Sequence, residues 1–377
     1  MRILSWTLIS VSRAILLMSC LLFLSSYAQA QTAGQVMFVG YNADGTDGFA
    51  FVTFVDVANG TTIYFHDSEW NGNPIGGGGA FVAGEGSITW SNNTGNTIPA
   101  GTVLIVENSA SATPTVNIGS VSRSGGFDVG AGNEVLYMFL GTDASTPTVF
   151  LSAIANDGFG ANGTLTNTGL TTGVNAISIT GDEDVMVYIG NTNCTSTIAD
   201  CASEIANATN WTIADGGGNQ ATGFFPDDVP CVFYGVALGQ ITYYSRNVTS
   251  GGNWDDPNSW TTNSDGSGGP LAAGVWPKRH DNVVILNGHN ITINNIADNM
   301  ACGISPDDLG RSNVGPFVSS NIAMFYQTGD IEIGGTLTVS GIEMMTEGYT
   351  HVLAGGSFIL GSNLVNLGYL EADATST

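Results

Sequence analysis

The sequence predicts an all-β protein, an antiparallel β-sandwich followed by a short β-helix-like or solenoid-like domain. Between residues 35 and 238, short apolar runs rich in β-branched and aromatic residues recur, bounded by Gly, Asn, Asp or Pro. After residue 240 the runs become shorter, and most of them close on a glycine. Regularly spaced strands with such boundaries are typical of sandwiches, whereas short glycine-closed strands are typical of stacked coils.

In the first part, the apolar runs are predicted as strands because their residues suit a pleated, half-buried surface. The runs are Val36 to Val39, Phe49 to Val57, Thr61 to Phe65, Thr102 to Val106, Val135 to Leu140, Val149 to Ile154, Val185 to Ile189 and Cys231 to Leu238. One stretch predicts a helix instead, since Thr197 and Asp200 have capping-box spacing ahead of Cys201 to Ala208. A helix this short needs tertiary contacts.

The sequence pattern changes near Gln240. The run Asp281 to Ile293 predicts two strands around a tight Asn-Gly turn. From Asp330 to Leu370 the chain advances in small units such as Thr336 to Gly341 and Ser357 to Gly361. Inward apolar residues and corners without a Cβ are what a β-helix coil needs. An ordinary meander of hairpins is the alternative, because the repeat is imperfect.

Residues 1–30 have the pattern of a secretory signal peptide. Two arginines precede or open the apolar run from Ala14 to Leu24, and the segment ends in Ala28-Gln29-Ala30. A lipoprotein site at Cys20 is the alternative, although more apolar residues follow that cysteine. The apolar run is too short to span a bilayer comfortably, so no integral membrane segment is expected after signal removal. We expect a secreted or outer cell-surface location.

Three segments follow from these patterns: a signal peptide over residues 1–30, a sandwich domain over 31–239 and a β-helix-like domain over 240–377. The last domain stops at Thr377 in what the pattern predicts to be the middle of a stack. An uncapped stack exposes apolar side chains and unpaired strand edges. We therefore expect that the chain is truncated at its C-terminus.

The chain is strongly acidic, with 7 Lys+Arg against 32 Asp+Glu and a formal net charge of −25. Removal of Arg2 and Arg13 with the signal peptide leaves 5 bases, and 5 minus 32 is −27. Such a surface repels phosphates, so no nucleic-acid partner is expected. It suits divalent cations such as calcium. The alternative is that the acidity only keeps a secreted protein soluble.

Asn42, Asp44 and Asp47 form the candidate metal site, a calcium loop around Gly45. The loop departs from the EF-hand pattern, because its glycine is the fourth residue and no Glu closes it. A turn that uses Asn and Asp side chains for backbone hydrogen bonds is the alternative. The acidic run from Asp182 to Asp184 would contribute only if the fold brings it beside this loop.

Cys194 and Cys201 are predicted to form a disulfide, since they are close in sequence and an exported chain meets an oxidising environment. Cys231 and Cys302 are left unassigned. The run His66 to Glu69 contains residue types found in hydrolytic sites. Adjacent positions at a strand end do not converge as a catalytic triad must, so no catalytic residue is predicted there.

Part of the first domain resembles a module common in large exported bacterial surface proteins. The resemblance is carried by Gly40 to Val52, Thr62 to Trp70, Gly84 to Trp90 and Gly132 to Leu136. The strand order is similar to that of the lamin-tail-like, immunoglobulin-like sandwich. The resemblance covers most of residues 35 to 238 and implies a binding or spacing role with no known catalytic set.

The second domain resembles the opening of right-handed β-helix regions in exported Bacteroidetes-type proteins. In those proteins a Gly-Asn-Trp…Trp segment caps the stack and a Pro…Asp-Asn-Val run starts it. The corresponding residues are Gly252 to Trp254, Trp260 and Pro277 to Ile293. The resemblance implies that Trp254 and Trp260 close the first coil.

Together these patterns favour a secreted or cell-surface structural or adhesive protein, with extracellular glycans or surface proteins as partners and without catalysis. The alternative is a secreted polysaccharide lyase or glycosidase with its site on the β-helix, where paired carboxylates could act on a sugar. Its candidate carboxylates are Asp330, Glu332, Glu343 and Glu347. The six tryptophans after residue 30 are either core anchors or sugar-stacking platforms.

Overall fold

The computed structural model describes residues 31–377 except 83, 161–162, 217–224, 227, 231, 247, 273–274, 279–280, 295–323, 347 and 367. The predicted signal peptide, Cys231, Cys302 and Glu347 lie outside the described residues. The unit described below runs from Gln31 to Thr377.

In the first part of this unit, the structure describes twelve strands. They are β1 (Val36–Asn42), β2 (Gly48–Thr53), β3 (Thr62–His66), β4 (Gly86–Ser91), β5 (Val103–Glu107), β6 (Thr115–Val116), β7 (Ser120–Gly125), β8 (Val135–Asp143), β9 (Thr146–Ala155), β10 (Ala176–Ser178), β11 (Val185–Tyr188) and β12 (Trp211–Ala214).

These strands form two six-stranded sheets with the orders β12-β11-β1-β2-β5-β6 and β10-β9-β8-β3-β4-β7. The described pairs are antiparallel, except that β9 and β10 run parallel. The sheets share one core, in which the Phe38 and Phe65 rings lie 6.0 Å apart and the Phe51 and Trp90 rings 5.7 Å apart. The predicted sandwich is therefore confirmed, with one parallel pair at its edge.

The predicted helix is also confirmed, as α1 (Ile198–Ala206). Thr197 caps it: its hydroxyl accepts from the Asp200 N–H at 3.1 Å, and the Asp200 carboxylate accepts from the Thr197 N–H at 3.1 Å. The helix ends two residues earlier than predicted. Its apolar side contributes Cys201 and Ile205, among others, to the core, which supplies the tertiary contacts that a short helix needs.

The strand predicted over Cys231 to Leu238 is wrong. Val232 and Tyr234 make only isolated bridges, and Val236–Leu238 is a 3₁₀ turn. Gly235 has φ 117°, which extended L-residues do not adopt, and a Cβ there would collide with the backbone of Cys194. The β-branched and aromatic composition of this run therefore serves burial rather than a strand.

After residue 240 the structure describes thirteen strands. They are β13 (Thr242–Ser245), β14 (Gly252–Asn253), β15 (Trp260–Thr261), β16 (Asn282–Ile285), β17 (Asn290–Ile293), β18 (Met324–Gln327), β19 (Ile331–Ile333), β20 (Thr336–Val339), β21 (Glu343–Thr346), β22 (Tyr349–Val352), β23 (Ser357–Leu360), β24 (Leu364–Asn366) and β25 (Tyr369–Ala372).

These strands, here called the parallel-sheet region, form three sheets with the orders β15-β13-β16-β19-β22-β25, β14-β17-β20-β23 and β18-β21-β24. All described pairs are parallel except β13 with β15. Ile331 pairs with Thr350, 19 positions on, and Thr350 pairs with Leu370, 20 positions on. This pairing contradicts the meander alternative and is the one that stacked coils require. A right-handed β-helix stays a prediction.

The two strands predicted around the Asn-Gly turn at residues 287–288 are confirmed as β16 and β17. They belong to different sheets, each pairing with strands of other coils. Gly288 adopts φ 76°, as a tight turn demands. The same residues therefore build a corner between two sheets, because Asn-Gly supplies positive φ without specifying what the flanking strands pair with.

Two tryptophans anchor the first coil of the parallel-sheet region. Trp254 and Trp260 are buried, and their rings pack edge to face at 5.2 Å. The Trp260 Nε1–H donates to the Trp254 carbonyl at 2.7 Å, and the Trp254 Nε1–H donates to the Pro277 carbonyl at 3.0 Å. Both indoles thus have partners for their one polar atom, as buried tryptophans need.

Candidate functional site: the acidic end of the sandwich

One end of the sandwich gathers most of its acidic residues. The strand register places the end of β1 beside the starts of β2 and β11, and the end of β3 beside the starts of β4 and β8. The loops at these strand ends carry thirteen acidic residues, here called the acidic end. They are Asp44, Asp47, Asp67, Glu69, Glu85, Glu107, Asp128, Glu134, Asp157, Asp182, Glu183, Asp184 and Asp215.

Tyr41 shows that the two sheets bring these loops together. Its hydroxyl donates to the Gly130 carbonyl in the loop before β8. Burial raises the pKa of Tyr41, and the carboxylates of Glu134, Asp47, Asp128 and Asp184 raise it further. These four acids come from three separate loops of the chain. The fold therefore places Asp184, from the acidic run of residues 182–184, near the predicted calcium loop.

The predicted calcium loop is held by its own asparagine. The Asn42 side-chain amide donates to the carbonyls of Asp44 at 3.0 Å and Thr46 at 2.7 Å, and its Oδ1 accepts from the Asp44 N–H at 3.3 Å. Asn42 is fully buried, so it acts as the backbone-bonding residue of the turn alternative. Asp44 and Asp47 are the two carboxylates of this loop.

Asp47 lies against a carboxylate that the sequence did not single out. The pKa of Asp47 is raised to about 7, mainly by burial and also by a side-chain hydrogen bond with Asp128 and by the charges of Asp128 and Asp44. A hydrogen bond from the Val129 backbone acts in the opposite direction. Two carboxyl groups this close need a shared proton or a cation between them. Asp128 is therefore the missed member of the candidate site.

A second group of carboxyls surrounds Asp67. This side chain is 4% exposed and accepts the backbone N–H of Gly86 at 2.8 Å and of Asp128 at 2.7 Å. Burial raises the pKa of Glu134 to about 9, with Glu85, Asp67 and Glu69 adding repulsion. The pKa values of Asp67 and Glu85 are also raised, in both cases mainly by burial. Asp67 thus connects two loops of the acidic end. Its charged form is disfavoured mainly by burial, as is that of Glu134.

His66 is packed against an aromatic ring at the end of β3. Its ring stacks on Phe81 at 4.1 Å, and its Nδ1 accepts the Ser68 N–H at 3.1 Å. Burial lowers the pKa of His66 to about 4, so the imidazole is neutral at pH 7. Its Nδ1 lies 3.7 Å from the Asp67 Oδ1, and since the imidazole is neutral at pH 7, this contact is not an ion pair. The arrangement explains the run His66 to Glu69 as a structural strand end.

The acidic side chains of this cluster suit a hard cation such as calcium, since each of their possible ligand atoms is an oxygen. Among the described residues, no three His, Cys, Asp or Glu side chains are yet gathered as a metal shell. Arg123 is the one Lys or Arg in residues 31–240. It donates its Nε–H to the Phe127 carbonyl at 2.9 Å. Asp44, Asp47 and Asp128 are the residues that would hold calcium, and their mutual repulsion is what the ion would relieve.

The other residues singled out in the sequence are not part of the acidic end. Cys194 and Cys201 lie at disulfide-bonding distance, with Cα atoms 5.7 Å apart. Asp330 and Glu332 are exposed on or beside β19, in the parallel-sheet region. Of the tryptophans, Trp276 alone keeps intermediate exposure; the other five are buried and serve as core anchors, namely Trp70, Trp90, Trp211, Trp254 and Trp260.

Within the part of the chain that the structure describes, no helix combines the length and apolar character needed to cross a bilayer. Comparison of the chain with protein-family models, with curated proteins and with solved structures finds no match.

Proposed function

We propose that the chain is a secreted or cell-surface structural or adhesive protein. In this proposal the sandwich is a calcium-dependent binding or spacing module and the parallel-sheet region is a stalk. The module assignment follows the resemblance to exported surface proteins with lamin-tail-like sandwiches and β-helical regions. Extracellular glycans or surface proteins are its proposed partners.

The observation that carries the proposal is the meeting of carboxyls from separate loops at one end of the sandwich. The Asp128 carboxyl raises the pKa of Asp47, and the charges of Glu85 and Asp67 raise the pKa of Glu134. Loops on a rigid sandwich are common positions for binding residues. A bound calcium ion would neutralise the repulsion and hold these loops in one arrangement.

A glycan array tests the binding role directly. The chain from Gln31 to Thr377 is applied in calcium-containing buffer and again in EDTA, and an Asp47→Asn variant is applied alongside. The proposal expects selective binding that EDTA and the substitution both reduce. Glycan binding that is equal in calcium and EDTA would refute the calcium dependence, and absence of any glycan or surface-protein ligand would refute the adhesive role.

The alternative, a secreted lyase or glycosidase, concerns the parallel-sheet region. Its described support is one surface, where Glu332, His351 and Glu371 lie in register on β19, β22 and β25. Incubation of the chain with uronate-containing and neutral polysaccharides discriminates the two proposals. Release of unsaturated or reducing ends, lost in Glu332→Gln but not in Asp47→Asn, would favour the enzyme.

A further inference from the structure

Four Asn-Gly pairs occur in the sequence, and at each of them the asparagine side chain can react with the backbone. The backbone nitrogen of the glycine can attack the side-chain amide carbon, because a residue without a Cβ leaves that approach open. The structure describes three of the pairs, Asn59-Gly60, Asn71-Gly72 and Asn287-Gly288, whereas Asn162 lies outside the described residues. The three described pairs have the same dipeptide sequence but different surroundings.

The first pair is held at both of its reacting groups. The Asn59 Oδ1 accepts from the Gly95 N–H at 2.8 Å, which fixes the side-chain amide. The Gly60 N–H, whose nitrogen would make the attack, donates to the Asn92 carbonyl at 2.7 Å. Both hydrogen bonds must break before the two groups can react, and each break costs free energy.

The second pair is held at its side chain. The Asn71 Nδ2 donates to the Gly78 carbonyl at 3.0 Å, and the Asn71 Oδ1 accepts from the Asn73 N–H at 3.0 Å. Attack by the Gly72 nitrogen would make the amide carbon tetrahedral and would move both of these atoms. The reaction at Asn71 therefore also requires the loss of two hydrogen bonds.

The third pair is exposed at the corner between β16 and β17. Asn287 and Gly288 are the central residues of a turn that the His289 N–H closes on the Leu286 carbonyl at 3.0 Å. Gly288 has φ 76° at the third position of this turn, where a positive φ favours glycine. Among the described residues, none forms a hydrogen bond with the Asn287 side chain or with the Gly288 N–H. The two reacting groups are therefore less restrained here than in the other two pairs.

We propose that Asn287 is a site of spontaneous deamidation and that its conversion loosens the corner between β16 and β17. The Gly288 nitrogen attacks the Asn287 Cγ, the new N–Cγ bond closes a succinimide ring, and the Cγ–Nδ2 bond breaks. The Gly288 amide proton leaves with Nδ2 as ammonia. Water then opens the ring at either of its carbonyl carbons, which gives aspartate or isoaspartate. Water is the only co-reactant.

The contacts around this turn give the reaction a structural consequence. The buried Ser245 hydroxyl accepts from the Leu286 N–H at 2.8 Å and lies 2.8 Å from the His289 Nδ1, so it fixes both ends of the turn. Isoaspartate routes the backbone through the side-chain carbon and lengthens it by one atom, which strains both contacts of Ser245. Gly335 of the next coil packs closely against the carbonyl oxygens of Leu286 and His289. A shift of these carbonyls therefore disturbs the stacking of the coils.

Peptide mapping by mass spectrometry measures the reaction in the chain from Gln31 to Thr377 during incubation in mildly alkaline buffer. The peptides that contain Asn59 and Asn71 are internal controls, because they carry the same Asn-Gly dipeptide. A parallel incubation in guanidinium chloride removes the fold and gives the intrinsic rate of each pair. Asn287→Ser is the matched control variant, since its exposed side chain cannot deamidate. Thermal unfolding compares the fresh and the incubated chains.

In the folded chain, deamidation at Asn287 should be about tenfold or more faster than at Asn59 and Asn71, because those pairs must first break hydrogen bonds. In guanidinium chloride the three rates should converge. Incubation should lower the unfolding midpoint of the natural chain but not that of Asn287→Ser. Equal rates in the folded chain, or a difference that guanidinium chloride leaves unchanged, would overturn the proposed site. An unchanged midpoint after conversion of Asn287 would overturn the proposed loosening of the corner.

Discussion

Asp47 is the residue whose environment is most at odds with its charge. Its pKa of about 7 in the folded chain lies above the ordinary value of 3.8, mainly because of burial and the Asp128 carboxyl. A folded state that holds a proton where the unfolded state does not loses stability as pH rises. The loss extends over the window from about pH 4 to about pH 7, and ionisation of Glu134 extends it toward pH 9.

In EDTA, we therefore expect the free energy of unfolding to be higher at pH 5 than at pH 8. Asp47→Asn should remove part of this difference, by about 1 kcal/mol, since solvent screens a half-buried carboxyl. Urea unfolding at the two pH values measures both effects. Glu204→Gln is the control, because Glu204 lies outside the acidic end and the amide keeps the acceptor for Asn210. Equal stability at both pH values would contradict the interpretation of Asp47.

Asp67 acts differently, as a buried acceptor for two backbone N–H groups. Asp67→Ala should destabilise the sandwich by about 2 to 4 kcal/mol, because the N–H groups of Gly86 and Asp128 lose their partner. Asp128→Ala is the matched control, since it keeps the Asp128 N–H and its bond to Asp67. Denaturant midpoints of the two variants decide the point: similar midpoints would show that Asp67 does not connect these loops.

At the corners of the parallel-sheet region, close packing restricts which residues can occupy a position. A Cβ on Gly335 would collide with the carbonyl oxygens of Leu286 and His289, on the coil beneath. Gly335→Ala should therefore cost about 1 to 3 kcal/mol and lower the unfolding midpoint of this region. Gly269→Ala, where nothing lies within 4 Å of the added Cβ, should be neutral. Equal effects of the two substitutions would mean that the coils are less closely stacked than described.

The strands that could be predicted are those whose apolar pattern matches their burial. β1, β8 and β11 were found because they are buried along most of their length. β7 was missed because its residues, Ser-Val-Ser-Arg-Ser-Gly, are polar and largely exposed at the sheet edge. The turn at Asn287-Gly288 was predicted, but its place as a corner between two sheets was not, because local turn chemistry does not specify which strands pair.

The candidate site could be predicted only in part, for a similar reason. Asp44 and Asp47 were recognised because they are neighbours in sequence. Asp128 and Glu134 are not, and only strand register brings them to the same end of the sandwich. In an antiparallel sheet, the end of one strand lies beside the start of the next. Acidic residues that stand at such neighbouring strand ends in the predicted sheet would have indicated Asp128 and Glu134.

At the scale of the whole molecule, the two parts differ in their balance of acidic and basic residues. Residues 31–240 hold 19 acids against Arg123 alone, whereas residues 241–377 hold 13 acids and four bases. Under the proposed function, calcium dependence should therefore belong to the sandwich.

The most direct measurement is the thermal midpoint of the sandwich transition in calcium and in EDTA, for the chain from Gln31 to Thr377. A ligand that binds only the folded state stabilises it by about 2.7 kcal/mol at one hundred times its dissociation constant. For a domain of this size, that is a rise of about 5 to 10 °C. The account predicts this rise for the natural sequence and for Glu204→Gln, and a much smaller one for Asp47→Asn. Identical midpoints in calcium and EDTA would contradict it.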